Sequence, residues 1–100
     1  MIFHEIEKVS VKYQVSEGLV DYIVRNESSY NNCALGDFHV PKPSYGLAQI
    51  NLYYHPLVKP HEAYNPLYAL EFLASNLKAG NCSWWTTCRA FKKKFPYAKM

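Results

Sequence analysis

The sequence predicts one α+β domain, mostly helical, with a small β or irregular element between the helices. Three observations carry that expectation. Apolar residues recur at helical spacing in four stretches, an Asn-, Gly- and Pro-bearing region interrupts them near the middle, and the composition, 49% hydrophobic against 19% charged, is that of a folded chain. At 100 residues and 11.6 kDa there is room for one core, so residues 1–100 read as a single domain, without internal repeat or low-complexity linker. The longest apolar runs last a few residues, which excludes a membrane-spanning helix. Glu5 and Glu7 stand where a secretory signal would carry positive charge, so no signal peptide is expected at the start of this chain.

Each element has its own signal. Ile2, Ile6, Val9 and Tyr13 fall at helical spacing and predict a short first helix, although Val9 and Val11 also suit a strand. Ser16 is a good N-cap for a second helix, with Asp21 near its first turn and Leu19, Val20, Ile23 and Val24 as its apolar face. Glu27 ends that face, three residues after Val24 and four after Ile23, so a helix projects its carboxyl group from the core-facing side. Asn31, Asn32, Gly36, Pro41 and Pro43 mark a loop, and residues 45–51 read as a short extended or turn segment where a small sheet fits. The next helix is fully punctuated: Asn65 as N-cap, Pro66 in first position, Leu67, Leu70, Leu73, Ala74 and Leu77 as the buried stripe, and Gly80 just past the end. A last helix is expected from Ser83, since Trp84, Cys88, Phe91 and Phe95 follow at steps of four, three and four before Pro96.

Charge is unevenly placed. Residues 1–37 hold six acids and three bases, whereas residues 38–100 hold eight bases and two acids. Arg89, Lys92, Lys93, Lys94 and Lys99 succeed one another with no acid between them, a field suited to a polyanion or simply the solvated face of a helix. Interleaved with Phe91, Phe95 and Tyr97, they match no nucleic-acid reading motif, and no nucleic-acid partner is expected. Cys33, Cys82 and Cys88 allow one bridge at most, of three kinds, with Cys82–Cys88 the most local; in a reducing compartment all three are thiols. His4, His39, His55 and His61 lack metal-ligand spacing, and the chain predicts neither a metal site nor a cofactor.

The chemistry concentrates in Glu27 and in the segment Ser44 to Asn51. A glutamate at a helix C-terminus meets the negative end of the helix dipole, and partial burial beside Ile23 and Val24 adds desolvation, so the sequence predicts a carboxyl group biased toward its protonated form. Such an acid is what glycosidic cleavage needs, because the leaving oxygen must receive a proton. Taken alone the signal is weak, since a glutamate at a helix end is far more often simply a solvated residue.

Glu27-Ser28-Ser29-Tyr30-Asn31 followed by Ser44-Tyr45-Gly46-Leu47-Ala48-Gln49-Ile50-Asn51 resembles the signature of the lysozyme superfamily. Glutamate-serine near a helix end, then Gly-Leu-x-Gln-Ile-Asn, is similar to the lytic transglycosylases with a soluble-lytic (SLT) domain. The second motif also resembles the Tyr-Gly-x-x-Gln-Ile-Asn strand of c-type lysozymes. The likeness spans about residues 15–90. It implies a lysozyme-like fold, Glu27 as the acid, and a cleft around Gln49 that holds amino-sugar units, with Ser44, Tyr45, Gln49 and Asn51 as substrate-binding candidates.

The departures are informative. C-type lysozymes carry an aspartate just before the Tyr-Gly pair; here Ser44 stands there and cannot serve as a second carboxylate. Many SLT-type enzymes use one glutamate as acid and then base. Their Tyr-Asn-x-Gly element near the C-terminal end of the cleft is missing, and Trp84, Trp85 or Tyr68 are its candidate replacements. Asp37, in the loop from Gly36 to Pro43, is the candidate second carboxylate for a hydrolytic enzyme, or else a turn residue. Tyr30, Tyr45, Tyr53, Tyr54, Tyr64 and Tyr68 cluster mid-chain and offer flat faces to pyranose rings, or pack structurally. If residues 49–51 are extended, Gln49 and Asn51 point into the cleft while Ile50 turns to the core; their amides then either bind sugar or satisfy backbone groups in the turn.

The reading is therefore a peptidoglycan-cleaving muramidase of lytic transglycosylase type, acting at the bacterial cell wall as a monomer. Its expected partners are glycan strands and, through the basic C-terminal helix, anionic wall polymers. The alternatives are a hydrolytic lysozyme with a second carboxylate and a glycan-binding module of the same fold without catalysis.

Overall fold

The computed structural model describes residues 2–36 and 43–98. Helix α1 spans Ile2–Tyr13 and α2 Glu17–Ser28; strands β1 (Leu35–Gly36), β2 (Ser44–Tyr45) and β3 (Ile50–Asn51) follow. Helices α3 (Pro60–Tyr64) and α4 (Pro66–Lys78), a 3-10 turn at Cys82–Trp84 and helix α5 (Thr86–Lys94) complete the order. The architecture is α+β, with helices dominating and one small antiparallel sheet between them.

Helix α1 settles the ambiguity between Val9 and Val11. A strand would turn both to one side, but Val9 is 6% exposed and Val11 73%, as helical geometry requires. Helix α2 starts where Ser16 Oγ accepts the Leu19 N–H at 3.2 Å. Its face of Leu19, Val20, Ile23 and Val24 is fully buried. It stops at Ser29, which takes the left-handed conformation at φ 52° and returns its N–H to the Arg25 carbonyl.

The three strands pair in sequence order, Leu35 opposite Tyr45 and Gly36 opposite Ser44, then Ser44 opposite Asn51 and Tyr45 opposite Ile50. Between β2 and β3 the chain turns through residues 46–49, with Leu47, Ala48 and Ile50 buried in the core. Gly46 is obligatory in this turn. Its φ is +79°, and a Cβ there would lie 2.0 Å from the Ala63 carbonyl oxygen.

Helix α3 was not expected from the sequence. Its signals were present, Pro60 in first position and Glu62 two residues on, whose carboxylate accepts the Lys59 N–H at 2.9 Å, but five residues are too few to show periodicity. Helix α4 is capped as expected: Asn65 Oδ1 accepts from the N–H groups of Leu67 (2.9 Å) and Tyr68 (3.1 Å). Its stripe needs correction. Leu70, Leu73 and Ala74 are buried together with Ala69, whereas Leu67, in the first turn at the edge of the apolar arc, is 54% exposed and Leu77 is only partly buried.

The last helix starts later than expected. Trp84 belongs to the 3-10 turn and is half exposed, while its neighbour Trp85 is the N-cap and is buried at 5%. Cys88 and Phe91 carry the core contact, and Phe95 is the C-cap, nearly half exposed. Cys82 and Cys88 are joined in a disulfide, and Cys33 is an exposed thiol. The core gathers side chains from α1, α2, the β2–β3 turn, α4 and α5, with α1 against α2 and α4, and α2 against α5. Among the described residues no helix is long and apolar enough to cross a membrane.

Candidate functional site

The site begins at the end of α2. Burial of Ile23 and Val24 fixes the rotation of the helix, and Glu27, one turn on, emerges half-buried at its C-terminal end. There its carboxylate Oε2 accepts a hydrogen bond from the Thr87 hydroxyl at 2.7 Å. Thr87 sits in the first turn of α5, and the two helices are held in register by the edge-on contact of Tyr22 with Phe91 at 5.4 Å. No local pattern links Glu27 to Thr87. Sixty residues separate them, so only the packing of α2 on α5 brings them together.

Trp85, two residues before Thr87, donates its indole N–H to the Ala48 carbonyl at 2.8 Å and so ties the start of α5 to the β2–β3 turn. Beside this tie opens a cleft of about 450 Å³, lined by Gln49, Ile50, Asn51, Tyr54, His55, Phe72, Trp84 and Trp85. Its wall is aromatic. The His55 ring lies 4.8 Å from Trp84 and 5.2 Å from Phe72, and Trp84 lies 6.1 Å from Trp85. The His55 N–H reaches the Asn51 carbonyl at 3.0 Å, which anchors the histidine to the end of β3. Burial among these rings lowers the His55 pKa, favouring a neutral imidazole that can both donate and accept.

Gln49 and Asn51 both line the cleft, but only Ile50 and Asn51 have the extended geometry expected for residues 49–51. Gln49 is left-handed, at φ 49°, and ends the turn; Ile50 is buried. The Gln49 amide Nε2 donates to the carbonyls of Gly46 (3.0 Å) and Ala34 (3.3 Å), stitching the turn to the approach of β1. A side chain on Gly36 would collide with Gln49 Oε1, at 2.2 Å. Asn51 Nδ2 donates to Ser44 Oγ across the β2–β3 pair at 3.3 Å, and its Oδ1 accepts the Tyr53 N–H at 2.9 Å. Ser44 is thus buried within the sheet's own polar link.

Glu27 is not among the described residues that line this cleft, and its link to it is the segment from Trp84 to Thr87; the remaining candidates lie elsewhere. Tyr45 packs edge-on against Tyr64 at 5.2 Å and is outside the cleft lining. Tyr68 stacks on Phe72 at 6.4 Å and lines a shallower hollow with Tyr13, Glu71, Phe72 and Ser75. Burial, and then the charge of Glu62, raise the Tyr68 phenol above its usual pKa. Phe72 borders both hollows, so Tyr68 extends the aromatic ridge by one helical turn. Asp37 and His39 lie outside the described residues. His55, Phe72 and Thr87 were not singled out for the site; His55 entered the sequence reading only through its lack of metal spacing.

On the outer side of α5, Arg89, Lys92, Lys93 and Lys94 are exposed; Lys99 lies outside the described residues. Among the described residues the ion pairs are Lys8 with Glu5 and Lys12 with Glu71, so none engages α5. Among the same residues no group of three or more His, Cys, Asp or Glu side chains is placed to hold a metal ion. Comparison with protein-family models, with curated proteins and with solved structures finds no match to this chain.

Proposed function

We propose that the chain is a peptidoglycan-cleaving muramidase of lytic transglycosylase type with a lysozyme-like fold. The observation that carries the reading is a half-buried glutamate at a helix end, held by a hydroxyl from the same short segment that walls an aromatic cleft. Glu27 protonates the oxygen of a β-1,4 bond between N-acetylmuramic acid and N-acetylglucosamine as an oxocarbenium-like state develops at C1. The carboxylate so formed then takes the proton of the muramoyl 6-hydroxyl while that oxygen bonds to C1. The products are a 1,6-anhydromuramoyl end and a free 4-hydroxyl, with Glu27 protonated again.

Several features support this assignment. Ser44 offers no carboxylate, so a mechanism with one glutamate suits the residues around β2 and β3. The flat rings of Trp84, Tyr54 and Phe72 suit pyranose faces, and the amides of Gln49 and Asn51 suit hydroxyl and N-acetyl groups. The exposed cations of α5 suit the anionic polymers of the wall.

Clearing of a bacterial wall suspension by the wild type and by Glu27→Gln tests the reading. Loss of a general acid lowers the rate by about 10²- to 10⁴-fold, so the variant should clear essentially nothing. Equal clearing by both proteins would remove Glu27 from the role of acid. No clearing by either, with glycan still bound, would favour a binding module.

A further inference from the structure

We propose that the Cys82–Cys88 disulfide is a positioning element for the site: its loop carries both the aromatic cleft wall, Trp84 and Trp85, and the Glu27 donor, Thr87. The inference rests on the functional reading above for what the site does, but the geometry of the loop stands without it.

The start of α5 has little local support of its own. Its N-cap is Trp85, whose side chain makes no capping bond, where serine, threonine, aspartate or asparagine would satisfy the first N–H groups. The preceding 3-10 turn is three residues long and is closed by the Trp84 and Trp85 N–H groups bonding to the Asn81 and Cys82 carbonyls. The segment is fixed by contacts beyond its own backbone: the Trp85 indole bond to Ala48, the Thr87 bond to Glu27, the rings of His55 and Phe72 against the tryptophans, and the disulfide, whose Cys88 half is fully buried. A bridge across a sequence separation of six removes less freedom from the unfolded chain than a long-range bridge, because the entropic effect grows, slowly, with loop length. In the folded chain its constraint acts on the segment it closes. It keeps the 3-10 turn folded against α5, so that Trp84 faces the cleft while Thr87 meets the carboxylate on α2.

The chain contains two tryptophans, both inside this loop, so tryptophan emission reports on it alone. The experiment compares the full chain with its Cys82→Ala/Cys88→Ala variant, without any reductant. Three quantities are measured: far-UV circular dichroism, tryptophan emission with acrylamide quenching, and the rate of wall clearing. The expected variant keeps its helical signal, shows red-shifted and more readily quenched tryptophan, and clears walls at least about tenfold more slowly. Unchanged emission and quenching in a folded variant would overturn the proposal, as would a displaced loop with undiminished clearing. A variant that loses its helical signal would also overturn it, by showing that the bridge holds the whole core rather than the loop. A wild type that clears no wall sinks the glycosidase reading instead, and the fluorescence comparison still decides whether the bridge holds the cleft wall.

Discussion

Gln49 has a structural duty as well as a place in the cleft. Its amide bonds to two backbone carbonyls, yet each of those carbonyls also has a backbone donor, Gln49 N–H for Gly46 and Gly46 N–H for Ala34. Gln49→Ala therefore orphans neither carbonyl, and the expected cost is about 1 kcal/mol per bond. Thermal unfolding should show a fall of several degrees together with reduced wall clearing; an unchanged midpoint with lost activity would make Gln49 a pure ligand contact. Both duties were legible as alternatives in the sequence, but which bonds the amide makes depends on the left-handed backbone at Gln49, which no residue pattern announced. His55 adds a pH dependence. Because burial lowers its pKa, the unfolded chain takes up the proton first on acidification, so the stability this group contributes is complete above about pH 6.5 and is lost as pH falls through the lowered native value. His55→Gln should flatten the melting temperature below pH 6.5 relative to the wild type, and parallel profiles would deny the histidine this role.

At the scale of elements, local signals succeeded where they were chemically complete. Asn65-Pro66 and Ser16 start α4 and α2 with the capping bonds those residues are suited to make. They failed where tertiary contacts decide. Trp84 has the helical spacing to Cys88, but the bond from Trp85 to Ala48 places the other tryptophan in the core and delays α5 to Thr86. The strands are two residues each, too short for alternation to register. The β2–β3 turn depends instead on Gly46, whose close approach to α3 is backbone against backbone and has no rotamer to yield. Gly46→Ala should destabilise the protein by about 2 kcal/mol or more, a fall of roughly 10 °C or more in thermal midpoint, and a near-neutral effect would mean the turn can move off Ala63.

For the whole molecule, the coarse α+β class followed from helical spacing and a central interruption, whereas the site is long-range. Glu27 and Thr87 meet where α2 packs on α5, while the cleft takes its amides from the β2–β3 turn and β3 and Phe72 from α4; the segment from Trp84 to Thr87 links the two. Gln49, Ile50 and Asn51 supply one edge of the cleft, while Trp84, Trp85 and His55 make its wall. On the proposed function one carboxyl group, Glu27, cleaves the glycan and leaves the sugar to attack itself. Mass spectrometry of fragments released from purified peptidoglycan separates this claim from hydrolysis. The predicted products carry 1,6-anhydromuramoyl ends, each lighter by one water than the hydrolytic fragment. Predominantly reducing ends would contradict the claim and turn attention to Asp37 as a second carboxylate, and a digest with no fragments would contradict cleavage altogether.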